Sequence, residues 1–157
     1  LGPVQIEYPT ILDLPAPSVS AYRKEVVVAE KLEAMVSIGQ ATSRLKDFFD
    51  IWRFSTVFEF DGHLLQQAVD STFRKRRTRV PADIPEALQE DFSARRDRQM
   101  QWERMVVRFA PEEDIPPLND VCNAIADFVS PVLSSLHDGN EFLGTWPPGG
   151  PWTLAEE

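Results

Sequence analysis

The sequence predicts a mainly α fold with an α+β remnant, a short amino-terminal strand leading into successive helices. Three observations carry this. Apolar residues recur at helical spacing over most of the chain from Ala21 to Leu136. Strict alternation is confined to the start, where Val4, Ile6 and Tyr8 interleave with Gln5 and Glu7. Proline, glycine and capping residues punctuate the helical stretches at their ends.

The strand is read over VQIEYPTIL, Val4 to Leu12, with Pro9 confined to an edge or a bulge. Pro15 and Pro17 stop regular structure, and Ser18 to Ser20 offer caps for a helix beyond them. The first helix is expected from Ala21 to Ile38. Its apolar residues, from Val26 through Leu32 and Met35 to Ile38, cover most of the circumference, so it should be buried on more than one side. Gly39 is placed to end it. A second helix starts after Thr42 or Ser43 and runs to about Thr56, with Leu45, Phe48, Phe49, Trp52 and Thr56 on one stripe. Arg44, Asp47, Asp50 and Ile51 fall on another side. After a turn at Asp61-Gly62, a third helix runs from His63 to Arg76.

Thr78 to Asp83 is a loop, and Pro85 to Phe109 is helical with one break near Phe92 to Ala94. Leu88, Phe92, Met100, Trp102, Met105, Val106 and Phe109 are the expected anchors there. Pro111 to Pro117 links to a last helix, Leu118 to Leu136, with Val121, Ile125, Phe128, Val129 and Val132 facing inward and Pro131 inside it. From Gly139 the chain is rich in proline and glycine and reads as loop or disordered tail. The parsing is therefore a helical part over 1–110, a packing helix over 111–138 and a tail over 139–157.

Composition bounds the function. The 157 residues suffice for one ordinary core, and 43% hydrophobic with 26% charged is near the globular average. No apolar run approaches the roughly 20 residues that span a bilayer, so no membrane partner is expected. The chain begins at Leu1 without a secretory leader, and the expectation is a piece of something longer. A lone cysteine, Cys122, fits a reducing cytoplasm. With His63 and His137 it shows no zinc spacing, and no Gly-rich phosphate loop or nucleophile elbow is present. A net charge of -9 makes the chain a poor general binder of phosphate backbones. The exception is the run Arg74, Lys75, Arg76, Arg77 and Arg79. It reads either as a solvated helix end that suits the dipole, or as a contact for an RNA acceptor or an acidic partner.

Two blocks could carry chemistry. Lys31 shares a helix face with Val27, Ala34 and Ile38. A lysine there either snorkels to water, paired with Glu30 or a nearby carboxylate, or reaches a fixed anion at the wall of a cleft. In the second block Lys46 can pair with Asp50 at i+4 and Arg44 with Asp47 at i+3. These carboxylates belong either to a solvated charged face or to a crowded aromatic setting that demands a partner. Lys31 is the natural candidate, since a short loop joins the two helices.

The run Glu25-x-x-x-Ala29-Glu30-Lys31-Leu32-Glu33-Ala34, then Arg44-x-Lys46-Asp47-Phe48-x-Asp50-Ile51, resembles the late motifs of AbiEii/AbiGii-type nucleotidyltransferase toxins. Glu7-Tyr8-Pro9-Thr10 and Ala16-Pro17 resemble the approach to that helix in a bacterial subgroup, and the resemblance covers roughly Gln5 to Pro81. It implies the helical half of a nucleotidyltransferase-like fold. It also implies Mg2+ and a nucleoside triphosphate (NTP), transfer of nucleotides to an acceptor such as tRNA, and a cognate antitoxin in a toxin–antitoxin or phage-defence system. Carried over, Lys31 and Asp47 are catalytic, Lys31, Arg44 and Lys46 bind phosphate, and Glu30 and Asp50 give support. The family's Gly-Ser and Asp-x-Asp metal motifs are not found in the 30 residues before Lys31. The expectation is that a missing amino-terminal half supplies them, and that this chain alone is inactive. The alternative is a non-catalytic helical binding module for a protein or a nucleotide.

Overall fold

In the computed structural model the described residues are 4–6, 19–21 and 23–155. Val4–Ile6 (β1) pairs antiparallel with Val19–Ala21 (β2), Val4 opposite Ala21. This corrects the expected helix start. Val19 to Ala21 give their backbone groups to a strand ladder, so the helix begins only at Lys24, after Arg23 and without a capping side chain. The remainder of the expected strand, Glu7 to Leu12, lies outside the described residues, as do Pro15, Ala16, Pro17 and Ser18.

Lys24–Ile38 (α1) is buried on more than one side: Val28, Ala29, Leu32, Ala34 and Met35 enter the core, and Glu25 and Glu33 are buried beside them. Gly39 ends it at a φ of 65°, a value that glycine reaches without a Cβ clash. A 3-10 turn, Gly39–Ala41, leads to Leu45–Val57 (α2). The buried Thr42 accepts the Arg44 N–H through Oγ1 at 3.1 Å just ahead of it. Both sides of α2 are covered, because α1, Arg96–Phe109 (α5) and Leu118–His137 (α6) all pack on it. Asp47, Asp50 and Ile51 are therefore buried, not on a solvated face.

Phe60–Asp61 (β3) leads into Gly62–Lys75 (α3), which packs chiefly on α1. Asp61 caps it, accepting from the His63 and Leu64 N–H groups at 2.9 and 3.1 Å. A 3-10 turn at Glu86–Leu88, Glu90–Ser93 (α4) and α5 realise the broken helical stretch. Leu88, Phe92 and Trp102 anchor it, but the expected anchors Met100 and Phe109 are exposed, since the core covers only the Trp102 side of α5. Helix α6 passes through Pro131 and buries all five predicted inward residues.

The tail is the larger correction. Instead of a loop or disordered tail, it holds Gly144–Trp146 (β4) and Thr153–Leu154 (β5), which complete a three-stranded antiparallel sheet in the order β3-β4-β5. Phe142, Trp146 and Trp152 close over Phe60 and Phe128, with ring centroids 4.8–5.9 Å apart. The indole N–H groups of Trp146 and Trp152 donate to the Ser55 and Phe128 carbonyls at 2.7 and 2.8 Å. One core runs from Val28 to Trp146. Among the described residues no helix is long and apolar enough to cross a membrane.

Candidate functional site

The site is built where the middle of α1 meets the first turns of α2. The short turn between them returns the chain so that Lys31 faces Asp47 and Asp50, which lie almost one helical turn apart on α2. The Lys31 Nζ stands 3.0 Å from Asp47 Oδ1 and 3.0 Å from Asp50 Oδ2. Lys46 Nζ holds the other oxygen of Asp50 at 2.8 Å. Arg44 Nε is 2.9 Å from Asp47 Oδ2, off the line of a directed hydrogen bond, so the contact is electrostatic and Oδ2 keeps an unused acceptor direction. Three cations thus face two carboxylates, a local positive excess in a chain of net charge -9.

The carboxylates are almost wholly buried, while the Lys31 side chain is 24% exposed and that of Arg44 56%. Burial alone pulls the Lys31 pKa down, but Asp50 and then Asp47 together outweigh it and hold the ammonium above its ordinary 10.5. Lys31 is therefore a fixed positive charge at neutral pH, with one side toward solvent. Such a charge suits phosphate oxygens and cannot act as a neutral amine base there.

The other expected residues separate from this cluster. Glu30 is one position, about 100°, round α1; it is exposed and lines a groove of about 570 Å³ with Lys75 and Arg76 instead of supporting Lys31. The basic run surrounds the end of α3. Arg74 pairs with Asp70 at 2.8 Å, Arg76 with the buried Glu33 at 3.1 Å, and Arg79 lines a second cavity with Asn140 and Glu141. Glu33 is two residues from Lys31 and faces nearly the opposite way, so the structure does not bring the run together with the lysine cluster. Sequence reasoning passed over Glu33, which also accepts from Thr78 Oγ1 at 2.7 Å. A carboxylate inside an apolar helix was the available signal.

Magnesium takes near-octahedral oxygen ligands. Here the two aspartates are engaged by cations, and among the described residues no group of three or more His, Cys, Asp or Glu is placed to hold a metal. The described cluster offers cations for phosphate and does not fit a metal cage.

The cluster is thus a pinned ammonium on α1 with one side open, held by two carboxylates of α2, and its charge is of the kind that suits phosphate oxygens. A family model described as nucleotidyl transferase AbiEii toxin, type IV TA system, matches residues 1–126, and the chain belongs to this family. The match runs beyond Pro81 through α5 into α6, further than the motifs alone reach. No curated protein and no solved structure matches the chain. The family is one of nucleotidyltransferase toxins of toxin–antitoxin systems, which implies an antitoxin as counterpart. Nucleotidyltransferases generally use an NTP and Mg2+.

Proposed function

We propose that this chain supplies the lysine and late-aspartate half of the toxin's transferase site, and that the whole protein transfers nucleotides from an NTP to an acceptor such as tRNA in the bacterial cytoplasm. The observation that supports this is the Lys31 ammonium, held 3.0 Å from both Asp47 and Asp50 with one side open. In this reading Lys31 grips the triphosphate, aided by Arg44 and Lys46. Asp47, buried beside Lys31, fixes its ammonium through Oδ1 and completes the late-aspartate part of the site. Cancelling charge around the phosphates and positioning them is most of what such a transfer asks of a protein. The Gly-Ser and Asp-x-Asp residues, and with them the metal ligands, come from an amino-terminal half, so this chain alone does not turn over.

The test is to incubate the parent protein with labelled NTPs and total RNA. Label should enter RNA, and Lys31→Ala and Asp47→Ala should each slow incorporation by about a hundredfold or more. Incorporation unchanged by Lys31→Ala would end the assignment.

A second reading, a non-catalytic module that binds nucleotide or protein, is favoured by the pairing of both aspartates with cations. It predicts NTP binding by this chain with no dependence on magnesium and no incorporation by the parent.

A further inference from the structure

Phe109, the last residue of α5, is 44% exposed and is the one exposed aromatic residue among the described residues. It does not belong to a general apolar face. Met100 and Val107, seven residues apart, share one side of α5, and Phe109, two residues further on, points nearly the opposite way. On that side it meets the site. Lys46 Nζ lies 5.6 Å from the Phe109 centroid while bonding Asp50 Oδ1 at 2.8 Å, and Asp50 Oδ2 holds Lys31 at 3.0 Å. A single carboxylate and a single lysine thus separate the exposed ring from the phosphate-gripping ammonium. Arg108, also exposed, has its guanidinium carbon 5.3 Å from the same centroid.

We propose that Phe109 is the nucleobase platform of this site: the base of a bound nucleotide stacks on its ring while Lys31 and Lys46 take the phosphates. The inference rests on the phosphate role given to Lys31 above. The chemistry is that of sequence-tolerant nucleotide binding, in which an aromatic face takes the base and neighbouring cations take the backbone. Lys46 links the two ends: its ammonium lies over the Phe109 ring while bonding Asp50, so the base takes the ring surface that Lys46 leaves open. Arg108 is free to swing from Phe109 onto the outer face of the base.

The base could belong to the donor NTP or to the acceptor strand, and the binding experiment separates them. Calorimetry on the full 157-residue chain uses ATP, CTP, base-free tripolyphosphate and a short 5′-phosphorylated single-stranded RNA. Phe109→Ala should weaken binding of the NTPs about ten- to a hundredfold, the worth of one base–aromatic stack, and leave tripolyphosphate unchanged. Phe109→Tyr should keep wild-type affinity. A loss confined to the RNA assigns the platform to the acceptor base. Equal losses for NTP and tripolyphosphate, or no loss for NTP and RNA alike, would overturn the proposal. Lys31→Ala serves as the separate control. If it leaves tripolyphosphate binding intact while Phe109→Ala still weakens NTP binding, the phosphate role falls and the platform stands. If the wild-type chain binds none of the probes, both fall. Because Phe109 lies outside the buried core, its truncation leaves the fold intact, which circular dichroism of each variant checks.

Discussion

Lys31 is held by two opposed effects, and their balance predicts how stability depends on pH. Burial works against its charge, and Asp50 and Asp47 more than restore it, so the folded pKa stands above 10.5. A raised lysine contributes its full stabilisation below the unfolded pKa and loses it as pH climbs through the folded value. Lys31→Met should therefore destabilise the chain by about 1–3 kcal/mol, since it strips one partner from two buried carboxylates that keep Lys46 and Arg44. In urea unfolding, the gap between wild type and variant should stay level from about pH 7 to about pH 10 and narrow only above that. A gap that widens with rising pH would show that the carboxylates do not hold the ammonium. Cys122 shows the same physics without a partner charge: buried against the Ala87 carbonyl, its thiol is pushed up to about 12 and stays protonated.

At the scale of elements, the site depends on the angle at which α1, α2 and α3 meet. The short turn after Gly39 places α2 against α1, and the Glu33 carboxylate ties α1 to the end of α3 through Arg76 and Thr78. The start of α3 is fixed by Asp61, whose one carboxylate oxygen takes two N–H groups. Asp61→Ala should cost about 1 kcal/mol and Asp61→Ser much less, read from thermal or urea unfolding. Equal costs for the two would mean that the cap is not what Asp61 contributes. Farther along α3, Gln66 donates to the Asn140 carbonyl at 2.7 Å and accepts from the Phe142 N–H at 3.0 Å. Its amide is thus the link by which the helix positions the segment after α6.

Over the whole molecule, the aromatic lid formed by the tail closes the end of the core distant in sequence from Lys31. Gly149 and Gly150 both have positive φ, 87° and 72°, but they differ in surroundings. A Cβ on Gly149 meets nothing within 4 Å, whereas one on Gly150 would stand 2.5 Å from a Trp146 ring carbon. Gly149→Ala should cost about 1 kcal/mol for backbone strain alone. Gly150→Ala should cost about 1–3 kcal/mol more, because the buried indole must shift, and should change the near-ultraviolet dichroism of the tryptophans. If the two variants behave alike, the lid is looser than the packing of Trp146 implies.

By itself the sequence determined the mainly α class, the order of the helices and, through Glu25 to Ile51, the family. Local periodicity, punctuation and spacing carry all three, each written within a few neighbouring residues. The i+3 and i+4 pairs of Arg44 with Asp47 and Lys46 with Asp50 were legible for the same reason. Tertiary structure alone decided that Val19–Ala21 is a strand, that the tail completes a sheet, that Glu30 turns away while Asp50 turns in, and that Phe109 stands beside Lys46. Each of these depends on backbone pairing or packing between segments that spacing along the chain does not relate. The tail's prolines and glycines read locally as breakers, yet Trp146 and Trp152 find their carbonyl partners on α2 and α6 only after the core has brought those helices to one place.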